Sequence, residues 1–206
     1  MECICPLLPA LANTPPVECP ENLGQWIKLA FQRKSADFSF ATEITAALLV
    51  NWTPLIGAVD DDKIVLTHFF SNHLVPQAEP ITEGGGDNTT IDGVEDLLGY
   101  GPITVTGTFR DVPNDHITAL KLFRCENTNI FPINNNGRIL AKQPGGAGNP
   151  VFPIPIATWS ISDAASQGLN TRDKANFRYS FVDGWREDLI LITPTDFNAK
   201  TDLGPF

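Results

Sequence analysis

The side chains of this sequence that are best suited to acid–base chemistry are three histidines. His68 and His73 flank a pair of phenylalanines, and His116 lies at the predicted opening of a helix. The chain contains no nucleophile-elbow, zinc-protease or phosphate-binding-loop motif that would give these imidazoles a catalytic partner. A Ser/His/Asp triad would have to be assembled from scattered residues. The histidines therefore give no indication of an enzyme.

The carboxylates lead to the same expectation. Asp163, Asp173 and Glu187 are candidates for the paired acids of a glycosidase, but nothing in their spacing selects two of them. The run 60–62 consists of three aspartates and could chelate a hard cation, although such a turn before a strand is typically solvated. We expect no catalytic residues, no cofactor and no metal site.

A glycine-rich stretch, GGGDNTTIDG at 84–93, resembles one copy of a calcium-binding β-roll repeat. Such repeats work by stacking, because carbonyl and Asp oxygens of adjacent turns share each ion. With a single copy, a loop is the better interpretation, and we predict a loop over 79–93.

The cysteines do not have the spacing of a zinc site. Cys3 and Cys5 are separated by one residue, and Cys19 and Cys125 have no CxxC partner. Free thiols, or one bridge that forms after assembly, are the expected states.

Composition narrows the class of protein further. The chain has 206 residues, of which 42% are hydrophobic and 18% charged, with a formal net charge of −10. It is long enough to bury a core without metal or disulfide staples. A strongly acidic chain does not attract phosphates through its overall field, so nucleic-acid recognition by a basic surface is not expected. The sequence contains no apolar run of about eighteen residues, so we predict no membrane-spanning helix. The start of the chain has no basic segment typical of a signal peptide, so we expect synthesis in the cytoplasm without export.

The elements that must position any site are mostly strands. Alternation of apolar and polar residues predicts strands at 103–110 and 176–181, and apolar runs predict others at 26–31, 64–70 and 189–192. Asn136-Gly137 predicts a type I′ hairpin turn between strands at 130–133 and 138–141. Pro153 and Pro155 indicate that 151–159 is an edge strand or an extended segment.

Two helices are predicted beside these strands. Thr42 can cap the first, which would run to about Asn51 with Ile44, Ala47, Leu48 and Trp52 on one face, before Pro54 limits it. The second begins at Asn114 or Asp115 and ends near Asn127.

Prolines dominate the first 22 residues: Pro6, Pro9, Pro15, Pro16 and Pro20. They remove backbone donors and favour extended geometry, so we expect an arm that lies on a surface of this subunit or of a neighbour. The predicted division is an arm at 1–22, one β-rich domain at 23–196 and a polar tail at 197–206. The fold class is mainly β with a minor α+β character: a β-sandwich or small barrel with two flanking helices, long loops and extended N- and C-terminal arms.

Several segments carry a resemblance to a known family. They are the Cys- and Pro-rich start followed by GQWI at 24–27, the loop at 84–93 before the threonine-rich strand, ALKLFRCE at 119–126, NGRI at 136–139, GWREDL at 184–189 and TDFN at 195–198. In these segments the chain resembles the tail structural proteins (tail tube or major tail proteins) of phages and prophages of Bacteroidota.

The resemblance implies a virion structural protein. Such a subunit forms stacked rings, typically hexameric, around a DNA channel, with copies of itself and other virion proteins as partners and DNA only as passing cargo. Loops and arms would bridge the rings. The candidate assembly residues are therefore Leu7, Leu8, Leu11, Val17, Gly84, Gly85, Gly86, Asp87, Asn88 and Trp185. The net charge of −10 suggests that an acidic lumen would let the genome slide without sticking.

Two alternatives stay open at this point. A capsid-side decoration protein, spike or head–tail connector shares the same composition. A carbohydrate-binding β-sandwich is the other, with exposed Trp26 or Trp185 stacking on sugars.

Overall fold

The computed structural model describes residues 23, 25–34, 40–85, 95–166 and 172–204. The strands are β1 Trp26–Arg33, β2 Ile64–Leu66, β3 Phe70–Leu74, β4 Pro80–Glu83, β5 Asp96–Tyr100, β6 Thr104–Arg110, β7 Thr128–Asn134, β8 Ile139–Lys142, β9 Ile154–Ile161, β10 Lys174–Phe181 and β11 Leu189–Ile192. The helices are α1 Glu43–Ala46, α2 Leu49–Ile56 and α3 Asn114–Leu122, with a 3₁₀ turn at Phe123–Cys125. The predicted mainly-β class with flanking helices is confirmed.

The strands pair antiparallel throughout. In the described part of the chain one sheet follows the order β11-β8-β7-β9-β10-β6-β3, with β1 paired to β7 and to β2, while β4 and β5 form a separate hairpin. β9 joins two layers of this sheet. Its first residues pair with β7, as Ile130 does with Ile154, and the rest pairs with β10, as Tyr179 does with Trp159.

The main core lies between these two layers. β1 contributes Leu29 and Phe31, and the opposite layer contributes Phe109, Phe177 and Tyr179. All five side chains are at most 2% exposed. The aromatic rings among them pack closely, as in the tilted Phe109–Phe177 pair with centroids 4.8 Å apart, which adds to the burial of their apolar area.

A second core covers the other face of β1, β7 and β8. Trp52 of α2 packs on Phe131 of β7, with ring centroids 5.2 Å apart, and both are fully buried. β1 is therefore buried on both faces, including its polar Lys28 and Gln32, whereas β10 alternates because one of its faces is exposed to water.

The first helix departs from its prediction. Thr42 does cap it, through a capping box with Thr45, but α1 ends at Ala46 and the chain restarts as α2. Pro54 lies inside α2 and does not end it. The carbonyl that loses its partner there belongs to Val50, which is 68% exposed and can be solvated.

Burial also separates the residues that were expected on one helix face. Ile44 is 70% exposed, whereas Ala47 and Trp52 are buried, and the break at Leu48 places Trp52 on a different helix from Ile44. In the second predicted helix, Pro113 rather than Asn114 or Asp115 is the N-cap, and α3 ends at Leu122.

Two turns differ from expectation as well. Of the hairpin residues, only Gly137 has a positive φ, at 75°, and its N–H donates to Asn134 O at 3.0 Å. This is a type I turn followed by a left-handed glycine, whereas type I′ needs two positive φ angles. The predicted strand at 64–70 is interrupted at 67–69 and continues as β3 in the other layer.

The prediction that 151–159 is an edge strand or an extended segment agrees with the pairing. Ile154 and Pro155 pair with β7 alone, and the remainder of β9 pairs with β10 alone, so no residue of β9 has a paired strand on both sides. Its pairing changes partner just after Pro155, which is a position where a missing donor costs little.

The C-terminal segment is not an arm over its described residues. Ala199 and Leu203 are completely buried in the second core. The buried Lys28 side chain donates to the Leu203 carbonyl, which fixes the segment to β1. The boundary predicted at 196 therefore does not mark the end of the packed structure.

Candidate functional site

The predicted assembly residues fall into three groups. Leu7, Leu8, Leu11, Val17, Gly86, Asp87 and Asn88 lie outside the described residues. Gly84 and Gly85 follow directly after β4, and Trp185 lies in the turn between β10 and β11. The structure therefore places the described candidates in two separate regions.

Gly84 and Gly85 begin the connection between the two strands of the β4–β5 hairpin. Both have a positive φ, 78° and 100°, which L-residues with a side chain rarely adopt. A Cβ on Gly85 would approach Glu95 Cγ at 2.6 Å. Residues 80–83 of the predicted loop are thus a strand, and Gly84 and Gly85 follow it where β4 and β5 lie close together.

The β4–β5 hairpin exposes an unusual amount of apolar surface. Ile81 is 49% exposed, Leu97 56%, Leu98 62% and Tyr100 58%. None of these four belongs to either hydrophobic core of the described residues. Four exposed apolar side chains on one short hairpin indicate an interaction surface, because a monomer gains nothing by leaving them in water.

Sequence reasoning missed these four residues. The glycines at 84–86 favoured a loop, so the apolar residues on either side of them were not considered as paired strands. The signal was present, because Ile81 before the glycines and Leu97, Leu98 and Tyr100 after them are typical strand residues. The register shift between Ile81 and Thr82 accommodates one additional residue in β5.

Trp185 is buried, not displayed. It is 5% exposed and stacks on Phe181 with ring centroids 4.1 Å apart, while Trp26 meets it edge to face at 6.1 Å. In the single chain, Trp185 therefore has little exposed surface to offer a neighbouring copy, and its role in assembly stays a prediction. Its ring belongs to the main core, and Arg186 covers it from 5.8 Å.

The structure describes all four tryptophans of the chain, and none of them exposes its ring for stacking on a sugar. They are each at most 5% exposed. In two of them the indole N–H also donates a hydrogen bond inside the protein, from Trp52 to Ala46 O and from Trp159 to Leu120 O, both at 2.8 Å. The carbohydrate-binding alternative loses the stacking residues on which it depended.

Hydroxyl and amide groups cover the outer face of β6, β9 and β10. Thr104 and Thr158 both contact the Ser180 hydroxyl, at 3.3 and 3.0 Å, and Thr108 donates to Asn176 Oδ1 at 3.0 Å. The charged side chains that these three strands add to this face are cationic, namely Arg110, Lys174 and Arg178. The face is thus polar and wet, but not acidic.

His73 and His116 pack against aromatic rings as neutral imidazoles. His73 Nε2 lies 3.0 Å from the Tyr179 hydroxyl, and burial lowers the pKa of His73 to about 4. His116 packs on His68 with ring centroids 4.4 Å apart, and burial followed by repulsion from His68 lowers the pKa of His116 to about 4. Neither arrangement holds a serine or cysteine nucleophile against the imidazole.

The acidic turn is tied into ion pairs. Arg33 bridges Asp61, at 2.7 Å, and Glu126, and Asp60 Oδ1 accepts from the Asp62 N–H. Among the residues that the structure describes, no group of three His, Cys, Asp or Glu side chains could hold a metal ion. Cys125 carries an exposed free thiol, while Cys3, Cys5 and Cys19 lie outside the described residues.

Within the described ranges, no helix is long and apolar enough to cross a membrane. No family model matches the chain, and no curated protein is detectably similar to it in sequence. The exposed β4–β5 hairpin is accordingly the strongest functional feature that the protein itself provides.

Proposed function

We propose that this protein is a structural subunit of a phage virion, and specifically a tail tube subunit that assembles with copies of itself into stacked rings around a DNA channel. The observation that carries the proposal is the β4–β5 hairpin, whose Ile81, Leu97, Leu98 and Tyr100 are about half or more exposed. In an assembly these side chains would be covered by the next subunit.

Two further features support the same function. The β6–β9–β10 layer has one dry face and one face of hydroxyl groups, which suits the wall of a water-filled tube. Large apolar side chains are also exposed on the helical side, at Ile44 and Val50, so that the subunit offers apolar contacts in more than one direction. Contacts of different surfaces generate rings or filaments rather than isolated dimers.

Electron microscopy of the purified protein tests the proposal directly. We expect rings or tubes as the protein concentration is raised. A closed ring that never stacks would instead indicate a head–tail connector. A monodisperse monomer at every concentration would contradict self-assembly altogether.

A variant distinguishes a specific contact of the β4–β5 hairpin from non-specific association through any exposed apolar side chain. Leu98→Asp should abolish tubes while the far-UV circular dichroism stays that of the wild type, because Leu98 contributes to neither core. The matched control is Leu122→Asp on α3, since Leu122 is similarly exposed, at 66%. Equal assembly of Leu98→Asp and wild type would remove the hairpin from the interface.

The hypothesis of an acidic lumen is linked to the choice of lumen face. If the hydroxyl face of β6, β9 and β10 lines the channel, Arg178 on that face gives the wall a cationic group instead. Replacing Arg178 by Glu in assembled tubes would then weaken retention of short duplex DNA. Unchanged retention would place another face toward the channel.

A further inference from the structure

Strand β11 lies at one end of the large sheet and pairs with β8 alone. Lys142 of β8 exchanges two backbone hydrogen bonds with Phe152, at 2.9 and 2.8 Å, so its amide and carbonyl point away from β11. Leu189 lies opposite Lys142 in a pair without hydrogen bonds, and its own N–H and C=O therefore point away from β8. The alternation of an antiparallel ladder directs the backbone groups of Leu191 the same way. Among the described residues, this row of donors and acceptors has no strand partner.

The β11 edge has none of the irregularities that usually protect the edge of a sheet. Its four residues are all apolar, and the strand contains no charge, no proline and no register shift. β3, at the other end of the strand order, has a register shift, and its Asn72 has a left-handed φ of 54°. Because a regular and uncharged edge is a template for another strand, β11 is suited to strand addition.

A groove of about 460 Å³ opens beside this edge. Ile190 and Ile192 of β11 line it together with Ile44 from the helical side. Ile44 belongs to neither hydrophobic core and is 70% exposed. A strand added to β11 would direct every second side chain to the face on which Ile190 lies, and would therefore fill the groove and cover Ile44.

The β4–β5 hairpin contains a strand with matching properties. β5 pairs with β4 alone and β11 with β8 alone, so the two strands do not pair with each other within one copy. Leu98 and Tyr100 are two residues apart and lie on the same face of β5, where they are 62% and 58% exposed. Two large apolar side chains on one face of an extended strand are what the groove beside β11 can accept.

The charges of the two surfaces are compatible. The segments 79–83 and 95–100 contain the following charged residues, all acidic: Glu79, Glu83, Glu95 and Asp96. β11 carries no charge, and the carboxylate of Glu43 in the groove already accepts hydrogen bonds from Gln143 and Gly148. Exposed Arg138 directly precedes the residue that pairs with Ile192. An antiparallel alignment of β5 along β11 brings Asp96 to this cationic end.

We propose that β5 of a second copy of this chain adds to the edge of β11 as an antiparallel strand, with Leu98 and Tyr100 in the groove beside Ile44. The inference rests on the proposed function, since it names the surface that receives the hairpin in the assembly. Backbone hydrogen bonds provide the affinity of such strand addition, and the groove provides its specificity. Each copy can accept one neighbour and be accepted by another, so the contact propagates.

Photo-crosslinking of the full chain tests the proposal. A photoreactive phenylalanine analogue replaces Tyr100, and ¹⁴N- and ¹⁵N-labelled proteins are mixed in equal amounts before the concentration is raised. We expect crosslinks from position 100 to residues 43–47 or 189–195, with both isotopes in the same crosslinked peptide. They should be several-fold more abundant than from the same analogue at Leu122, which is 66% exposed.

The isotopes and the position of the crosslink identify every other arrangement. Mixed-isotope crosslinks to another surface would place the hairpin elsewhere, and single-isotope crosslinks to β11 would mean that the hairpin folds back on its own copy. Either result overturns the proposal.

Electron microscopy of the same samples separates this proposal from the proposed function. Rings or tubes without the expected crosslinks would overturn the strand addition and leave the proposed function standing. The expected crosslinks without any ring or tube would support the strand addition and contradict the proposed function. The absence of both would contradict both proposals.

A substitution at the end of β11 provides an independent check. Thr193 is exposed, lines the groove and lies two residues after Leu191. Thr193→Pro removes a backbone donor at this edge and should lower the crosslink from position 100 several-fold, because proline blocks strand addition. Thr193→Val keeps the donor and should leave the crosslink unchanged.

A second variant replaces the proline if circular dichroism shows that Thr193→Pro does not fold. Ile44→Glu introduces a charge into the groove and should lower the crosslink several-fold. Val50→Glu is its matched control, because Val50 is similarly exposed, at 68%, and lies outside the groove. Undiminished crosslinking in a folded Thr193→Pro or Ile44→Glu variant would overturn the proposal.

Discussion

His73 and His116 are held neutral among aromatic rings. Their pKa values lie near 4 in the folded protein, and an unfolded histidine has an ordinary value of 6.5. The unfolded chain therefore binds more protons between these values, so the free energy of unfolding must decrease as pH falls from 6.5. The carboxylates with lowered pKa values act only at lower pH.

We predict a loss of about 1 kcal/mol per histidine between pH 7 and pH 5, after allowing for partial exposure. Urea unfolding at several pH values measures it. His73→Gln should flatten the pH dependence, and Gln77→Asn in the same segment should leave it unchanged. Identical slopes for wild type and His73→Gln would contradict the assignment.

Lys28 gives a pH dependence of the same sign in a more alkaline window. It is 2% exposed, and burial lowers its pKa from 10.5 to about 8. Between these values the unfolded chain again binds more protons, so the free energy of unfolding rises with pH. We predict a gain of about 1–2 kcal/mol between pH 7 and pH 10 that Lys28→Met lacks. Lys63→Met, at an exposed site, should retain it, and a gain that persists in Lys28→Met would refute the prediction.

At the scale of elements, the C-terminal segment was expected to be a polar tail, but its described residues pack into the second core. Leu203 is fully buried although its neighbours are polar. Leu203→Ala should cost about 2–4 kcal/mol of unfolding free energy, because it leaves a cavity in the second core. Leu122→Ala, at an exposed position, should change it by less than about 0.5 kcal/mol. Chemical denaturation measures both unfolding free energies. Equal stability of the two variants would mean that the C-terminal segment does not pack into the core.

Local sequence patterns predict a strand well where one of its faces is buried and the other is exposed to solvent. β6 and β10 alternate in sequence for this reason, and β11 was predicted with its bounds. Patterns fail where long-range packing decides. β9 joins the two layers because its partner strand changes after Pro155, and nothing local in the sequence indicates that change. The apolar residues of the hairpin could likewise not be recognised as a site until Ile81 and Gly99 were seen to be paired.

The whole molecule combines a closed double core with apolar surface that lies outside it. The N-terminal 22 residues are the part whose role is best tested at this scale. Deletion of Met1–Glu21 should leave the strands and both cores intact, because the described packing begins at Leu23. It should weaken assembly if the distal leucines reach a neighbour.

Two measurements check this deletion. Circular dichroism should match the full chain, and the concentration at which rings or tubes appear should rise several-fold. A matched control removes the same five prolines by substitution with alanine while keeping the leucines. Unchanged polymerisation of the truncated chain would exclude a bridging arm.

β9 has a mechanical consequence. The strand is hydrogen-bonded to one layer through its first two residues and to the other layer through the remainder, so the covalent chain itself passes from one layer to the other after Pro155. A pull that separates the layers is carried by peptide bonds rather than by side-chain contacts alone. The layers should consequently exchange their amide hydrogens in one cooperative opening, and a subunit under tension should yield at its projecting hairpin before its body separates.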